Sequence, residues 1–322
     1  MGNSPTVPPW QPLVSVVTPT LNRAELLERT LKSVRAQTYP CVEHIVVDGG
    51  STDATTSMLA DYERTYDLNW VSEPDSGMYS AINKGLSRAR GEILAYLNSD
   101  DLYFPWTIEV VAEAFGKHPE ADFIFGDALN VADDTGRLRV RWQAPFDLDT
   151  VERVGFLTQP AVFWRRRGMD AEGPFNESLR YVADCDYWMR AGARHTFVKV
   201  NEFLAIERDH PDTLRATQSS SVDRELRAVR GKYVLMRGPM HVARSARDLA
   251  RLVLWRRLYW LAFTLQARRR RPESRAPWSR LLSTGRVRIR MLPALLQHIP
   301  GAGLPLRDRI LAPDRTWLEP ED

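Results

Sequence analysis

Short apolar runs alternate with longer segments in which apolar residues recur at helical spacing. The runs have the length and the β-branched content of strands, whereas Leu27, Leu31 and Val34 repeat as they would on one face of a helix. Strands and helices in alternation predict a parallel sheet with right-handed crossovers. The predicted strands here are 13–18, 43–48, 69–72 and 91–97, and the predicted helices are 23–37, one that ends near 64, and 78–89.

The pattern continues less regularly through the middle of the chain and becomes purely helical near its end. Apolar runs still have strand length, but turn signals between them are weaker. The predicted strands are 122–125, 138–142, 161–164 and 196–200, and the predicted helices are 107–117, 184–191, 224–234, 242–266 and 292–298.

Charge separates an acidic body from a basic C-terminal region. The 322 residues carry a net charge of +3, but residues 224–290 contain 19 Lys and Arg against three acids, a net of about +16 that leaves about −13 for the rest. Basic segments bind nucleic acid or anionic membrane, or form a solvated face. We expect a flexible N-terminus (1–11), an α/β domain (12–210, with halves 12–104 and 105–210) and a basic helical C-terminal region (211–322).

Aromatic residues of the basic region lie among its arginines. The longest uncharged run, 258–267, is far below the roughly 20 residues that span a bilayer. Trp255, Tyr259 and Trp260 followed by arginines at 268–271 suit an interfacial helix on anionic lipid, and a helical hairpin packed on the domain is an equally good explanation. Binding of nucleic acid is disfavoured because the aromatics are not spaced as stacking platforms.

Cysteine content and the N-terminus indicate the compartment. Cys41 and Cys185 lie far apart and offer neither a disulfide framework nor a metal-spaced cluster. Residues 1–12 are polar and proline-rich, without the apolar core of a signal peptide. We therefore expect a reducing, cytoplasmic environment.

The stretch 91–105 carries the strongest chemical signal. Its apolar run ends at Asp100 and Asp101, as expected for a buried strand that delivers carboxylates to the edge of a sheet. Open α/β sheets bind ligands at that edge, and carboxylates there suit Mg²⁺ or Mn²⁺ held together with substrate phosphates. Alternatively, Asp100 caps the helix whose start Pro105 marks.

Asp48 ends the second predicted strand and is followed by Gly49 and Gly50, which let a backbone approach a ligand. A carboxylate at this position can accept a hydrogen bond from a nucleobase N–H or a ribose hydroxyl, or it can be satisfied by the amides of its own turn. The chain has no G-x-G-x-x-G after the first strand and no G-x-x-x-x-G-K-[ST], which argues against the common dinucleotide and P-loop sites.

Asp184 stands at the start of a predicted helix that aromatic and apolar residues fix by packing. A carboxylate held there can act as a general base if an acceptor hydroxyl lies within hydrogen-bond reach, or it can cap its own helix. The sequence shows no Ser-His-acid spacing, zinc spacing or G-x-S-x-G nucleophile elbow.

Six short motifs follow one another through the α/β domain. They are V-S-V-V-T-P-T-L-N-R (14–23), V-V-D-G-G-S-T-D (46–53), D-S-G-M-Y (75–79), N-K-G (83–85), L-N-S-D-D (97–101) and A-D-C-D-Y-W (183–188). Together they resemble the inverting family 2 glycosyltransferases of bacterial surface glycans, over residues 12 to about 205. This resemblance implies the GT-A fold, a Rossmann-like, mixed but mainly parallel α/β sheet flanked by helices, here with a helical C-terminal extension.

The resemblance implies a role for individual residues. The family's D-x-D falls on residues 98–100, so Asp100 is the implied ligand of Mn²⁺ or Mg²⁺ and Asn98 replaces the first acid, while Gly49 stands where many relatives carry a second Asp. Asp184 matches the family's general base. The implied contacts to the nucleotide and donor are Pro19, Thr20, Asn22, Asp48, Asp75, Gly77, Asn83, Asn98 and Ser99, and those to the acceptor are Gln159, Arg180 and Trp188.

The resemblance also implies a reaction. A nucleotide sugar, commonly UDP-linked, gives up its sugar to an acceptor hydroxyl in one displacement that inverts the anomeric centre. The Q-x-x-R-W signature of processive synthases is missing after Asp184, which favours addition of a single sugar to a glycan or lipid-linked acceptor. Such an acceptor suits peripheral contact of 242–271 with the inner face of the cell membrane. The alternative is a catalytically silent nucleotide-sugar-binding protein, which Asn98 makes conceivable.

Overall fold

The computed structural model describes residues 10–133, 138–141 and 157–235, together with Gln143, Phe146 and Leu148. The predicted helices 242–266 and 292–298 and the predicted membrane contact at 242–271 lie outside the described residues.

The first half of the described chain is a regular alternation of strands and helices, as its periodicity predicts. Three parallel pairings join its four strands, so the strand order is β3-β2-β1-β4. The elements are β1 (Val14–Thr20), α1 (Ala24–Arg35), β2 (Val42–Asp48), α2 (Thr55–Tyr62), β3 (Leu68–Ser72), α3 (Met78–Arg88) and β4 (Ile93–Tyr96).

The second half extends the same sheet with mixed pairings. Strand β8 lies antiparallel between β4 and β6, and β9 runs parallel to β6, which gives the order β3-β2-β1-β4-β8-β6-β9-β5 with β7 on β6. The elements are β5 (Leu102–Tyr103), α4 (Thr107–Lys117), β6 (Phe123–Ala132), β7 (Leu138–Arg141), a 3₁₀ turn (Gln159–Ala161), β8 (Val162–Arg165), α5 (Arg166–Glu172), α6 (Ala183–Gly192), β9 (Phe197–Asp209), α7 (Leu214–Thr217) and α8 (Ser219–Leu235).

Successive strand residues point to two separate layers of the core. In β4, Leu94 and Tyr96 face α3 and α6, whereas Ile93 and Ala95 face the layer that α4 covers. Both faces of the sheet are therefore covered, which explains why the central strands appear as continuous apolar runs. Among the helices that the structure describes, none is long and apolar enough to cross a bilayer.

Two predicted strands are much longer than their apolar runs. Strand β6 continues to Ala132 rather than ending at 125, and β9 continues to Asp209 rather than ending at 200. The pairing of β6 with β9 shifts register around Asp127, which interrupts the apolar alternation of both strands. Strand β9 also contains the charged residue Arg208, which pairs with Asp133. Periodicity alone cannot follow a strand through such an irregularity. It also missed β5, α5 and α7, which are short.

Candidate functional site

The carboxyl ends of β1, β2 and β4 lie side by side at one edge of the sheet. Thr20 is paired with Asp48 across β1 and β2, and the Leu97 N–H donates to the Val17 carbonyl at 2.8 Å. The loop that begins at Asn98 therefore emerges next to Thr20 and Asp48, so three separate motifs meet at this edge.

Asp48 is fully buried and its carboxylate is already satisfied. It accepts hydrogen bonds from the Ser51 N–H at 2.9 Å, from the Ser72 hydroxyl at 2.6 Å and from the Ser51 hydroxyl. The turn interpretation therefore describes Asp48 in this structure. A nucleotide would have to displace a serine to reach its oxygens.

Asn22 ties the loops after β1 and β2 together. Its backbone has a positive φ of 52°, its side-chain oxygen accepts from the Thr52 N–H at 2.8 Å, and its own N–H donates to the Ser51 hydroxyl at 2.7 Å. A left-handed conformation at a non-glycine residue needs such support from its surroundings. Leu21, the preceding residue, is 51% exposed and places an apolar surface at this edge.

Asp75 occupies the space that a side chain at position 49 would need. A Cβ on Gly49 would lie 2.9 Å from Asp75 Oδ2, which is closer than two such atoms approach. The other oxygen of Asp75 accepts from the Gly77 N–H at 2.8 Å, and Gly77 has a φ of 136°. Asp75 therefore places its carboxylate beside Gly49.

Two side chains donate hydrogen bonds to the Asp100 carboxylate. Arg23 lies 2.8 Å and His210 Nε2 3.1 Å from the same carboxylate oxygen. Burial by itself would raise the pKa of Asp100, but the hydrogen bond from His210 and the charge of Arg23 outweigh it, so the pKa lies below its ordinary value. Asp100 therefore stays ionised and can exchange these partners for a metal ion or a ligand cation.

Asp101 serves the fold rather than a ligand. It is buried and accepts from the backbone N–H of Arg208 at 3.1 Å, which joins the loop after β4 to strand β9. Burial, and then the charge of Asp100, raise its pKa well above the ordinary value. Asp101 does not cap the helix that follows it, because the amide that it binds lies on another strand.

Two buried polar atoms at the edge have no hydrogen-bond partner. They are the side-chain oxygen of Asn98 and the hydroxyl of Thr20. Buried polar atoms are nearly always satisfied, so an unpartnered pair at the edge where ligands bind indicates a polar ligand. The Asn98 oxygen also suits a cation. Together with Asp100 and His210 it makes a set of oxygen and imidazole donors that fits Mn²⁺ or Mg²⁺.

Within the described residues, no group of three or more His, Cys, Asp and Glu side chains is arranged to hold a metal ion. Mg²⁺ commonly takes one or two protein carboxylates and completes its coordination with substrate phosphates and water. Asp100 with His210 fits that smaller number.

Asp184 lies in the first turn of α6, as its sequence predicts. Its Oδ1 accepts from the Tyr79 hydroxyl at 3.2 Å, and the same hydroxyl lies 3.3 Å from the Tyr181 carbonyl. Burial, and then the nearby charge of Asp184, raise the pKa of Tyr79 well above its ordinary value, so Tyr79 stays a hydrogen-bond donor.

Tyr96 lies near both Asp184 and the Asn98 loop. Burial, and then the nearby Tyr79 and Asp184, raise the pKa of its hydroxyl well above the ordinary value. The Gln159 amide donates to the Tyr96 carbonyl at 2.7 Å, and the Gln159 oxygen accepts from the Asn98 amide at 3.4 Å. Gln159 thus joins Tyr96 and Asn98 in one hydrogen-bonded network beside the predicted metal loop.

Two predicted contacts do not fit their surroundings. Trp188 is 1% exposed inside the aromatic core, so an acceptor has no surface of it to touch. The Asn83 amide is used by the backbone of Phe175, which it binds through both its oxygen and its nitrogen at 2.9 Å. We therefore remove Trp188 from the acceptor contacts and Asn83 from the donor contacts.

The remaining predicted residues differ in exposure. Pro19 and Ser99 are buried at the strand ends, and Gln159 is buried within the network just described. Arg180 is exposed beside the Tyr181 ring, at 6.0 Å from its centroid, where a ligand can reach it.

Sequence reasoning missed the partners of Asp100. In the chain, His210 is 110 residues from Asp100 and Arg23 is 77 residues from it. Arg23 does fall inside the first motif, so that motif was the available signal, whereas nothing local marks His210.

Comparison with known proteins identifies the family of the chain. The sequence profile of Glycosyl transferase family 2 matches residues 15–173. A PGL/p-HBAD biosynthesis glycosyltransferase of Mycobacterium bovis is 34% identical over 182 residues, which are 56% of this chain and 69% of that protein. An uncharacterized glycosyltransferase of Mycobacterium tuberculosis is 41% identical over 140 residues, 42% of this chain and 52% of that protein.

Solved structures show the same fold at low identity. S. aureus TarS 1–349 in complex with UDP-GlcNAc superposes with a TM-score of 0.56 at 19% identity, covering 93% of this chain and 83% of that one. Mannosyltransferase PcManGT from Pyrobaculum calidifontis, in complex with GDP-Man and Mn²⁺, superposes with a TM-score of 0.51 at 18% identity, covering 86% and 84%. The predicted GT-A architecture is thereby confirmed, and the chain belongs to glycosyl transferase family 2.

Proposed function

We propose that this glycosyltransferase moves one sugar from a nucleotide-sugar donor to a hydroxyl of a glycan or lipid-linked acceptor, with inversion at the anomeric carbon. The observation that carries the proposal is the unsatisfied Asn98 oxygen and Thr20 hydroxyl beside the Asp100 and His210 pair. The unsatisfied polar atoms can bind a polar, anionic ligand, and Asp100 can bind a cation that accompanies it. The catalytic α/β domain over 12–210 stays part of this proposal.

The donor would lie along the carboxyl ends of β1, β2 and β4. Leu21 offers an apolar surface for the nucleobase, and Thr20, with its unpartnered hydroxyl, offers polar contact to the nucleoside. Asp75, whose carboxylate lies beside Gly49, and the exposed Gly77 line the same edge. A UDP-sugar is the first candidate, since the structural relative TarS was solved with UDP-GlcNAc.

Asp100, His210 and the Asn98 oxygen would hold Mn²⁺ or Mg²⁺ on the donor diphosphate. When bound, such a cation supplies charge stabilisation to the leaving nucleotide. Arg23 now pairs with Asp100 at 2.8 Å and would turn to a phosphate oxygen as the diphosphate arrives. Its planar fork of donors suits that contact.

Asp184 would act as the general base. Its carboxylate takes the proton of the acceptor hydroxyl while that oxygen attacks the anomeric carbon, and the bond to the diphosphate breaks with its electron pair on the leaving group. The Tyr79 hydroxyl, at 3.2 Å from Asp184 Oδ1, keeps the carboxylate oriented. A single displacement of this kind inverts the anomeric centre.

The acceptor is the least defined partner. The related protein of Mycobacterium bovis is named a PGL/p-HBAD biosynthesis glycosyltransferase, and we keep a glycan or lipid-linked hydroxyl as the proposed acceptor. Gln159 and Arg180 remain the proposed acceptor contacts. Binding of 242–271 to the inner face of the cell membrane remains a prediction, because those residues lie outside the described part of the chain.

Calorimetric titration with UDP, GDP and dTDP, each with and without Mn²⁺, tests the donor and metal assignment. We expect one nucleotide to bind tightly, and its affinity to need both Mn²⁺ and Asp100, so that Asp100→Ala removes the metal dependence. Asp61→Ala removes an exposed acid elsewhere and should bind like wild type. Equal binding with and without Mn²⁺ would remove the metal from the proposal.

Asp184→Asn separates an enzyme from a catalytically silent nucleotide-sugar-binding protein. UDP-GlcNAc, UDP-glucose, GDP-mannose and dTDP-rhamnose would be screened against p-nitrophenyl glycosides, with product mass and anomeric configuration as readouts. We expect the variant to lose about 100-fold or more in kcat while keeping nucleotide affinity. Transfer at the wild-type rate would dismiss Asp184 as the base, and a retained configuration would dismiss inversion.

A further inference from the structure

A carboxylate on α8, the last helix that the structure describes, binds the turn that leads into α6. Glu225 on α8 accepts hydrogen bonds from the backbone N–H groups of Arg180 at 2.8 Å, Tyr181 at 2.6 Å and Val182 at 3.0 Å. No side chain of the α6 N-terminal turn itself caps the helix. Glu225 therefore satisfies, from another element, the backbone amides of the three residues that lead into the helix.

The turn held by Glu225 also sets the surroundings of Asp184. The Tyr181 carbonyl lies 3.3 Å from the Tyr79 hydroxyl, and that hydroxyl donates to Asp184 Oδ1 at 3.2 Å. A shift of the turn would thus move a partner of the tyrosine that orients the carboxylate. Asp184 itself stands only two residues after the last amide that Glu225 binds.

A second polar contact docks α8 against the same end of α6. The Tyr233 hydroxyl donates to Asp186 Oδ1 at 3.0 Å, and Lys232 Nζ lies 3.5 Å from that oxygen. Asp186 is buried, so these contacts are part of the packing between the helices. Helix α8 therefore contacts the start of α6 at two points, one in the turn before the helix and one at Asp186.

We propose that Glu225 is a positioning residue for the general base, and that α8 belongs to the catalytic unit. The proposal rests on the proposed function, since it assumes that Asp184 is the base. Glu225 lies outside the stretch 15–173 that the family profile matches, so the matched region does not assign it a role. Its partners lie in the turn just before α6, while the groups proposed for the donor lie on the loops after β1 and β4.

Loss of the carboxylate would affect the reaction more than donor binding. Without Glu225 three amides of a partly buried turn lose their acceptor, and the turn can relax with the base attached to it. A glutamine keeps one oxygen, which can still serve Tyr181 and Val182, but its NH₂ group faces the Arg180 N–H. Displacement of a catalytic group by about 1 Å can cost up to about 100-fold in rate.

The test compares Glu225→Ala, Glu225→Gln and Asp223→Ala in the full chain. Asp223 is an exposed acid on the same helix and serves as the matched control. Steady-state transfer gives kcat and the donor KM, calorimetry gives nucleotide affinity, and thermal melts give the folded fraction. We expect kcat to fall about 10- to 100-fold in Glu225→Ala and less in Glu225→Gln, with donor KM and nucleotide affinity within about twofold of wild type.

Other results would overturn the proposal. Wild-type kcat in Glu225→Gln and Glu225→Ala would dismiss it, and so would a loss of kcat that Asp223→Ala shares. A loss of nucleotide affinity equal to the loss of kcat would assign Glu225 to general stability instead. If Glu225→Ala does not fold, Glu225→Gln alone decides by the same criteria. Asp184→Asn run in parallel separates the two proposals, because transfer by that variant would refute the base assignment whatever Glu225 shows.

Discussion

The three carboxylates that end β2 and β4 differ in what surrounds them. Asp48 is satisfied by two serines, and Asp101 by a backbone amide of β9. Asp100 instead faces a guanidinium and an imidazole, which are groups that a metal cation can replace. Residue type alone does not distinguish the three, whereas their partners do, and only Asp100 is left with exchangeable ones.

A buried histidine makes stability depend on pH. His44 is fully buried, with Thr18 at 2.9 Å from Nε2 and Tyr66 at 2.8 Å from Nδ1, and burial lowers its pKa to about 3. Between pH about 6.5 and about 3 the unfolded chain takes up a proton that the folded chain refuses. The free energy of unfolding should therefore fall as pH falls, by up to about 1.4 kcal/mol per pH unit from this group.

Urea denaturation of wild type and His44→Gln at pH 7.5, 6 and 5 measures this effect. Glutamine keeps a neutral donor and acceptor, so the variant should lose stability less steeply than wild type as pH falls below 6.5. Parallel slopes for the two proteins would show that His44 does not carry the dependence.

Helix α3 packs closely against strand β1 at Gly85. A Cβ on Gly85 would lie 2.3 Å from Val17 Cγ1, so the helix and the strand approach more closely than a larger residue allows. The first turn of the same helix carries Tyr79, whose hydroxyl donates to Asp184. The packing of α3 on the sheet therefore helps to set the position of the proposed base.

Gly85→Ala should destabilise the protein. Overpacking costs about 1 to 3 kcal/mol, and the better helix propensity of alanine offsets only about 1 kcal/mol of it. Gly231→Ala on α8, where a Cβ meets nothing within 4 Å, should stabilise by up to about 1 kcal/mol. Urea midpoints of both variants decide, and a change of the same sign in both would contradict the packing argument.

Over the whole molecule, charge is unevenly distributed. The net charge is only +3 because the basic stretch 224–290 is balanced by an acidic remainder of the sequence. Helix α8 uses Glu225, one of the three acids of that stretch, to bind the turn before α6. The described beginning of the basic region is thus joined to the α/β domain.

Replacing the four arginines at 268–271 by serine should weaken binding to anionic vesicles. Each Lys or Arg near an anionic surface contributes about 1 kcal/mol, and salt screens the attraction. Co-sedimentation with vesicles of phosphatidylglycerol and phosphatidylcholine measures it, with pure phosphatidylcholine as the control. Equal sedimentation of both proteins on both vesicles would dismiss the membrane prediction.

The order of elements and the edge of the sheet that carries the site follow from local pattern. The lengths of the apolar runs and the helical spacing predicted the strands and helices of the first half and their parallel sheet, because both are properties of neighbouring residues. The strand order β3-β2-β1-β4 came from the structure. Motifs at the strand ends placed Thr20, Asp48 and Asp100 at one edge, because parallel strands share that edge.

Only the tertiary structure decided which groups face these residues. His210 reaches Asp100 across 110 residues, and Glu225 reaches the α6 turn across more than 40. Packing in the aromatic core also buries Trp188, which was predicted from the sequence as an acceptor contact. Each of these contacts forms because elements that are far apart in the chain pack together. Local periodicity describes only neighbouring residues, so it cannot identify such a partner.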